Sequence, residues 1–271
     1  MGLSVLFNIP SLRSQDQLTQ TSNSLQNTLT QLTTGSRINS GADDPAGLQI
    51  SNLLNASVAA LNQTVNNASS GIGLAQVADG ALSQVSTLLN TAVTLATEAA
   101  NGGLSSAQTS ALSTEFANLL TEINNIGTNT NFNGTSVFTT TATAIFLTDL
   151  TTSYTINITP SALSASGLGI SQSVFTSTTT AQSALAQINS AIVNVGSQRG
   201  QIGAAINQLQ YAQNVATVEA QNTTAALNTI TAANIPQVVS NLTKYSILDQ
   251  TGIFALTQAN TLPQNLLKLL Q

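Results

Sequence analysis

AQSALAQINSAIVNVGSQRGQIGAAINQLQYAQNVATVEAQNTTAALNTI occupies residues 181–230. Apolar or small residues return in it at alternating steps of four and three: Ala181, Leu185, Ile188, Ile192, Val195, Arg199, Ile202, Ile206, Leu209, Gln213, Ala216, Ala220, Thr223, Leu227 and Ile230. Only Arg199, Gln213 and Thr223 depart from the apolar pattern. A repeat of about 3.5 residues keeps one seam on one side of a supercoiled helix. The stretch therefore predicts one helix of about 50 residues, roughly 75 Å long at about 1.5 Å per residue. A helix of that length needs a partner of similar length.

The rest of the chain offers several. Val58, Leu61, Val65, Ala68, Ile72, Ala75, Asp79, Leu82, Ser86, Leu89, Val93 and Ala96 form a second long seam, broken only by Asp79 and Ser86. Gly71, Gly73 and Gly80 lie inside it, where each costs up to about 1 kcal/mol against alanine and permits either close helix approach or a bend. Asn101-Gly102-Gly103 ends this helix. A third helix is expected from about Ser105 to Ile126, with Leu112, Phe116, Leu119, Ile123 and Ile126 on its seam and Gly127 as its cap. Near the start, Leu18, Ser22, Leu25, Leu29 and Leu32 mark a short amphipathic helix, which Gly35 stops in a left-handed conformation. Asp44 before Pro45 is a helix start, because aspartate caps free amides and proline suits the first helical position. Asp43 and Asp44 read as that cap and a link to Arg37; two carboxylates without further ligands make a poor calcium site. After the long stretch, Asn234-Ile235-Pro236 interrupts the helix. A final helix carries Val238, Leu242, Tyr245, Leu248, Ile253 and Leu256.

Composition narrows the chemistry. The chain has no cysteine and no histidine. Disulfides, thiolate metal sites, His-ligated metals and Ser-His-Asp or Cys-His catalysis are thereby excluded, and no cofactor is expected. Arg13, Arg37, Arg199, Lys244 and Lys268 are the only five basic residues. A nucleic-acid surface needs clustered Lys and Arg, so no nucleic-acid partner is expected. Charged residues make up 6% of the chain against about a quarter in ordinary domains. A near-neutral surface beside apolar seams favours self-association; the alternative is a monomer solvated by Asn, Gln, Ser and Thr. No apolar run approaches the roughly 20 residues of a membrane span, so no membrane insertion is expected. Met1 to Pro10 lacks a cationic segment followed by an apolar run, which predicts a cytoplasmic protein or one exported with its N-terminus uncut. The leucine-rich C-terminus has one lysine, too few for a basic membrane-surface helix, and reads as an assembly contact.

The middle of the chain differs. Asn133-Gly134 between Phe132 and Val137-Phe138 is a hairpin signal, because both turn residues tolerate positive φ. Twenty of the 42 residues from Thr139 to Thr180 are Ser or Thr, which suits strands and turns better than helix. Tyr154, Ile156 and Ile158 alternate with polar residues as in a half-buried strand. The fold class expected is mainly α: a long antiparallel helical bundle or coiled coil with a small β-hairpin region mid-chain. The hydroxyls of that region are candidates for O-linked sugars; the alternative is that they stay bare and solvated.

These residues resemble bacterial flagellin over about 1–138 and 181–271. Leu32-Thr33-Thr34-Gly35-Ser36-Arg37-Ile38-Asn39-Ser40, with Asp43-Asp44 and Ala46-Gly47, is similar to that family's early motif. Asn66 to Ala81, with Asp79-Gly80-Ala81-Leu82, resembles its long helix. Phe132-Asn133-Gly134 matches its turn. Gln258-Ala259-Asn260 with Pro263-Gln264-Asn265 and the terminal leucine pairs resembles its C-terminus.

The resemblance implies a structural subunit, with no catalytic role, that polymerises into the extracellular flagellar filament for motility. A hook–filament junction protein shares both end regions and is the alternative, separated by copy number. The implied organisation is a terminal coiled-coil domain of residues 1–43 plus 231–271 lining the inner tube. A helical domain of 44–230 follows, with a β-rich segment at about 130–180 and no large outer domain. Implied partners are many copies of the chain, an export chaperone, filament cap and junction proteins, and O-glycans on the middle segment. Candidate assembly residues are Leu18, Leu25, Leu29, Leu32, Arg37, Asn39, Asp43, Leu242, Tyr245, Leu256, Asn260, Leu266 and Leu269. Leu95 and Glu115 match the surface that a host's flagellin-sensing innate receptor recognises, whereas Thr91 stands where many members have arginine. Ala232 and Asn234 stand where members often have two acidic residues.

Overall fold

The computed structural model describes residues 8–139, 143–148, 153–158, 160–170 and 175–269. Five helices dominate: α1 (Ile9–Thr34), α2 (Pro45–Ala99), α3 (Ser106–Asn129), α4 (Thr178–Thr231) and α5 (Ile235–Leu269). Between α3 and α4 lie β1 (Asn131–Phe132), β2 (Thr135–Ser136), β3 (Thr143–Thr148) and β4 (Ser153–Ile158). They pair as two antiparallel two-stranded sheets, β1–β2 and β3–β4. The chain forms two compact units, Met1–Asn55 with Thr223–Gln271, and Ala56–Asn222. No helix among the described residues is long and apolar enough to cross a membrane.

Local chemistry sets the helix ends. The Asp44 carboxylate accepts the Gly47 N–H at 2.8 Å, with Pro45 at the first helical position of α2. Ser105 and Gln108 form a capping box on α3. Gly35 ends α1 at φ 67°, the expected left-handed cap. Within the helices, many Ser and Thr hydroxyls donate to the carbonyl four residues back, as Ser69 does to Val65 and Thr97 to Val93. That local bond lets a chain rich in hydroxyls stay helical without distant partners.

In the unit Ala56–Asn222, α2 and α4 run antiparallel, since Asp79 bonds Arg199 and Ser69 bonds Gln213. Every seventh residue from Leu61 to Ala96 is buried: Leu61, Ala68, Ala75, Leu82, Leu89 and Ala96. So is every seventh residue from Ala181 to Ala216: Ala181, Ile188, Val195, Ile202, Leu209 and Ala216. The sequence reading placed these layers correctly. It misplaced most of the alternating layer by one residue, although Ala220 on α4 is buried as expected. On α4 the buried positions are Ala184, Ala191, Ala205 and Ala212, while Leu185, Ile192 and Ile206 are half-buried flanks. On α2 they are Gly71, Ala78, Val85, Ala92 and Ala99, not Ile72, Asp79, Ser86 and Val93. On α3 they are Ser113, Leu120 and Gly127, not Leu112, Leu119 and Ile126. In most of these layers, Val85 and Leu120 excepted, the small residue takes the centre because close backbone approach leaves no room for more, and the bulkier neighbour covers the edge.

Two glycines show how tight the approach is. A methyl group on Gly71 would lie 2.9 Å from Ile145 of β3 and 3.1 Å from Leu209 of α4. Gly127 is not a cap. The helix continues past it to Asn129, and a side chain there would overlap the Leu163 carbonyl. The segment 160–170 presses on α3 at that point, burying Leu163, Leu168 and Ile170, with the Ala165 N–H donating to Asn124. Phe175 then stacks on Phe116 at 4.7 Å between ring centres, and its N–H donates to buried Ser113. The Ser/Thr-rich region thus adds core rather than only surface.

The strands follow their sequence signals. Asn133 and Gly134 take φ 50° and 78° in the β1–β2 turn. Ile156 and Ile158 of β4 are buried while Thr155 and Asn157 are exposed. Asn67 of α2 donates to the Phe146 carbonyl and ties β3 down. Asp79 and Arg199 pair across α2 and α4 at 2.8 Å with side chains 39% and 38% exposed. Such a pair contributes about 0–1 kcal/mol.

Substituting Gly127→Ala is expected to overpack the α3–segment contact and destabilise the monomer by about 1–3 kcal/mol. Gly80→Ala, at a helical site with nothing within 4 Å, is expected to stabilise it by up to about 1 kcal/mol. Thermal unfolding of both variants followed by circular dichroism checks the opposite signs.

Candidate assembly interface

In the unit formed by Met1–Asn55 and Thr223–Gln271, α1 and α5 run antiparallel. The Asn8 amide donates to the Ala259 carbonyl at 2.9 Å and the Ser11 hydroxyl to Asn260 at 2.8 Å. Gly252 faces Leu18 so closely that an added methyl would sit 3.1 Å from its side chain. Leu18, Leu25 and Leu32 are half-buried along this contact, as are Leu242, Tyr245 and Leu256 opposite. The buried centre of α1 is Thr21 and Thr28, whose hydroxyls turn back to Gln17 and Ser24 at 2.9 and 2.7 Å. Leu29, assigned to the seam by its spacing, is 42% exposed. Here again a small residue occupies the layer and a leucine lies beside it.

The contact covers little. Among the described side chains of α1 and α5, only Thr21, Thr28, Val238 and Ala259 are buried. Ile9, Leu12, Ile235, Val239, Ile247, Leu248, Ile253 and Phe254 are exposed, Phe254 at 76%. Leu248 and Ile253 lie on this helix as expected and are exposed. Leu266 and Leu269 lie on the α5 backbone, outside the residues whose side chains are described.

The turn after α1 is ordered by backbone groups. Ser36 and Ala232 form an isolated antiparallel bridge, and the Ala233 N–H donates to Gly35. Arg37 does not reach Asp43 or Asp44. Its guanidinium donates to the Ile230 carbonyl at 2.9 Å and its N–H to Thr231 at 2.7 Å, with the Ser36 hydroxyl also on Thr231. The last turn of α4 has no basic residue of its own, so Arg37 supplies the positive charge and donors its open carbonyls need. Asn39 donates to the Ser36 carbonyl at 2.8 Å. Asp43 accepts the backbone N–H groups of Asn39 and Ser40 at 3.0 and 2.8 Å. Those bonds, that from Asn39 first, hold its carboxyl below the ordinary aspartate range. Ile38 is buried, and Gly47 leaves the room its side chain occupies. Asn234 caps α5 by accepting the Gln237 N–H at 3.3 Å. Lys244 sits over the Tyr245 ring at 5.6 Å.

Sequence reasoning missed Thr21, Thr28, Ser36, Ile38 and Gly252. The signal was present in the spacing, because Thr21 and Thr28 are each three residues after Leu18 and Leu25. Glu115 and Thr91 are exposed, and Leu95 is 7% exposed and packs in the core.

Because Asp43 holds its proton less tightly when folded, its contribution to the turn is complete above the ordinary value of about 3.9 and is lost as pH falls through the lowered folded value. The amide resonances of Asn39 and Ser40 are expected to titrate together with a midpoint below about 3.9. A midpoint at or above that value, or two unrelated titrations, would contradict the assignment.

Two family models match the chain: the bacterial flagellin N-terminal helical region over residues 5–143 and the bacterial flagellin C-terminal helical region over 185–270. The flagellin of Listeria monocytogenes is 32% identical over 97% of this chain and 98% of its own length. The Treponema phagedenis flagellar filament 33 kDa core protein is 29% identical at the same coverage. A crystal structure of Bacillus cereus flagellin has 29% identity and a TM-score of 0.49, covering 60% of this chain and 94% of that one.

Proposed function

Since this chain belongs to the bacterial flagellin family and is a structural subunit of the flagellar filament, we propose that α1 and α5 are the elements whose burial other copies complete. One observation carries this reading: among the described side chains, the pair leaves Ile9, Leu12, Ile247, Ile253 and Phe254 exposed and buries only Thr21, Thr28, Val238 and Ala259. An isolated helix pair with so little covered surface gains little from burial at about 25 cal/mol per Å². Neighbouring copies supply the missing cover, and folding of the pair is then coupled to assembly.

In this reading residues 1–43 with 231–271 line the inner tube, and 44–230 form the shell around it. Leu29, Arg37, Asn39, Asp43 and the outward side chains of α5 meet neighbouring subunits. Their contacts are heterologous and do not close, which generates a helical polymer rather than a ring. The role is mechanical and not catalytic. A chaperone shields the terminal helices before export, cap and junction proteins meet them at the filament ends, and exposed hydroxyls of the middle segment carry O-glycans. The polymer lies outside the cell.

Two variants test the assignment in seeded polymerisation followed by negative-stain microscopy. A chain truncated after Thr231 is expected to form no filaments. Phe254→Ser is expected to leave the monomer's stability within about 0.5 kcal/mol, as at other exposed sites. It should raise the critical concentration tenfold or more, since burying a phenylalanine contributes about 1.5–3 kcal/mol and about 1.4 kcal/mol is tenfold. Wild-type critical concentration in Phe254→Ser would place α5's outer face away from the subunit contacts.

A further inference from the structure

The seams of α2 and α4 in the unit Ala56–Asn222 repeat every seven residues with little to tell one heptad from the next. Along α2 the successive layers are Leu, Ala, Ala, Leu, Leu and Ala from Leu61 to Ala96, and the α4 layers between are mostly alanine. Sliding one helix past the other by a heptad keeps apolar against apolar. It would displace the subunit surface by roughly 10 Å at about 1.5 Å per residue. One layer is different. Arg199 is the only basic residue from Ala56 to Asn222, and it makes two hydrogen bonds to Asp79, at 2.8 and 3.3 Å. Beside it Gln198 brings a carboxamide into the seam, its oxygen buried without a hydrogen-bond partner among the described residues. Seven residues to either side of Asp79, α2 offers Ile72 or Ser86 and no carboxylate.

We propose that the Asp79–Arg199 pair is a register lock: it selects one antiparallel alignment of α2 and α4 out of several that the apolar seam would accept. A half-exposed pair adds little stability, yet the one charged pair flanking a mostly apolar seam is an effective way to specify alignment. A slipped alignment leaves Arg199 opposite Ile72 or Ser86 and Asp79 without a cation. The lock therefore works by penalising the alternatives more than by strengthening the native state.

The absence of cysteine in the chain makes the alignment directly readable. Ser69 and Gln213 touch at 2.8 Å, so Ser69→Cys with Gln213→Cys reports the native register to a short bifunctional thiol reagent. Ser69→Cys with Ile206→Cys or with Ala220→Cys reports a slip of one heptad in either direction. In the full chain with Asp79 and Arg199 intact, cross-linking is expected at the native pair alone. With Asp79→Leu and Arg199→Leu together, the thermal midpoint is expected to stay or rise, while native cross-linking falls at least twofold and a slipped pair appears. Exchanging the charges, with Asp79→Arg and Arg199→Asp, is expected to restore the native pattern. The proposal is overturned if the double-leucine chain cross-links only at the native pair, which would assign the register to shape contacts such as Leu209 against Gly71. It is equally overturned if the charge exchange fails to restore the pattern. It is overturned too if the double-leucine chain loses its helical circular dichroism, which would make the pair a stability element.

Discussion

Two helices can share a seam of many heptads only if their backbones come close enough for side chains to interdigitate. In this chain small residues in every second layer set that distance. Ala184, Ala191, Ala205 and Ala212 on α4, with Gly71, Ala78 and Ala92 on α2, occupy layers between larger ones such as Leu82, Leu89, Ile188 and Leu209. Large residues fill the volume and small ones allow the approach. The same rule governs α3, where Gly127 lies under Leu163, and α1, where Thr21 and Thr28 hold the centre. Core packing, the seat of the β3–β4 hairpin over Gly71 and the closeness of Leu18 to Gly252 all depend on it.

The rule has different consequences in the two units. Between 56 and 222 the layers are reinforced by α3, both hairpins and the segment 160–170, giving a large apolar core beside a smaller cluster of Leu61, Ala216 and Ala220. In the unit containing the chain ends, α1 and α5 pair with each other beside the turn around Ile38, and few of their described side chains are buried. Threonine in the α1 layers keeps that pair close without making it strongly apolar. The exposed side chains then lie on the outside, as suits a subunit whose family builds a polymer. Low charge, which argued against a nucleic-acid surface, has a structural counterpart: such surfaces repel copies of themselves weakly.

Much of this was legible in the residues. The extents of α2 and α4, the Gly35 and Asp44-Pro45 boundaries, the Asn133-Gly134 turn and the alternation around Ile156 follow from local rules, and local rules act within a few residues; α1, expected to be short, begins already at Ile9. The alternate layer was not legible, because periodicity of about 3.5 leaves a choice between neighbouring positions. Bulk favours Leu185 or Ile192, whereas close approach favours Ala184 or Ala191. Arg37 was misread for a similar reason. A nearby aspartate is visible in the sequence, but an open carbonyl at Ile230, 193 residues away, becomes a partner only after folding. The core formed by Leu163, Leu168, Ile170 and Phe175 was hidden by the hydroxyls around it.

The central claim is that α1 and α5 lack sufficient cover in the single chain and gain it in the polymer. Amide hydrogen exchange, measured on monomer and on assembled filament and resolved by peptide, addresses it most directly. Protection over 9–34 and 235–269 is expected to be low in the monomer and to rise by at least a hundredfold on assembly, while 61–99 and 181–216 remain protected in both. Equal, high protection of the terminal helices in the monomer would show that the pair is stable alone and would contradict the claim.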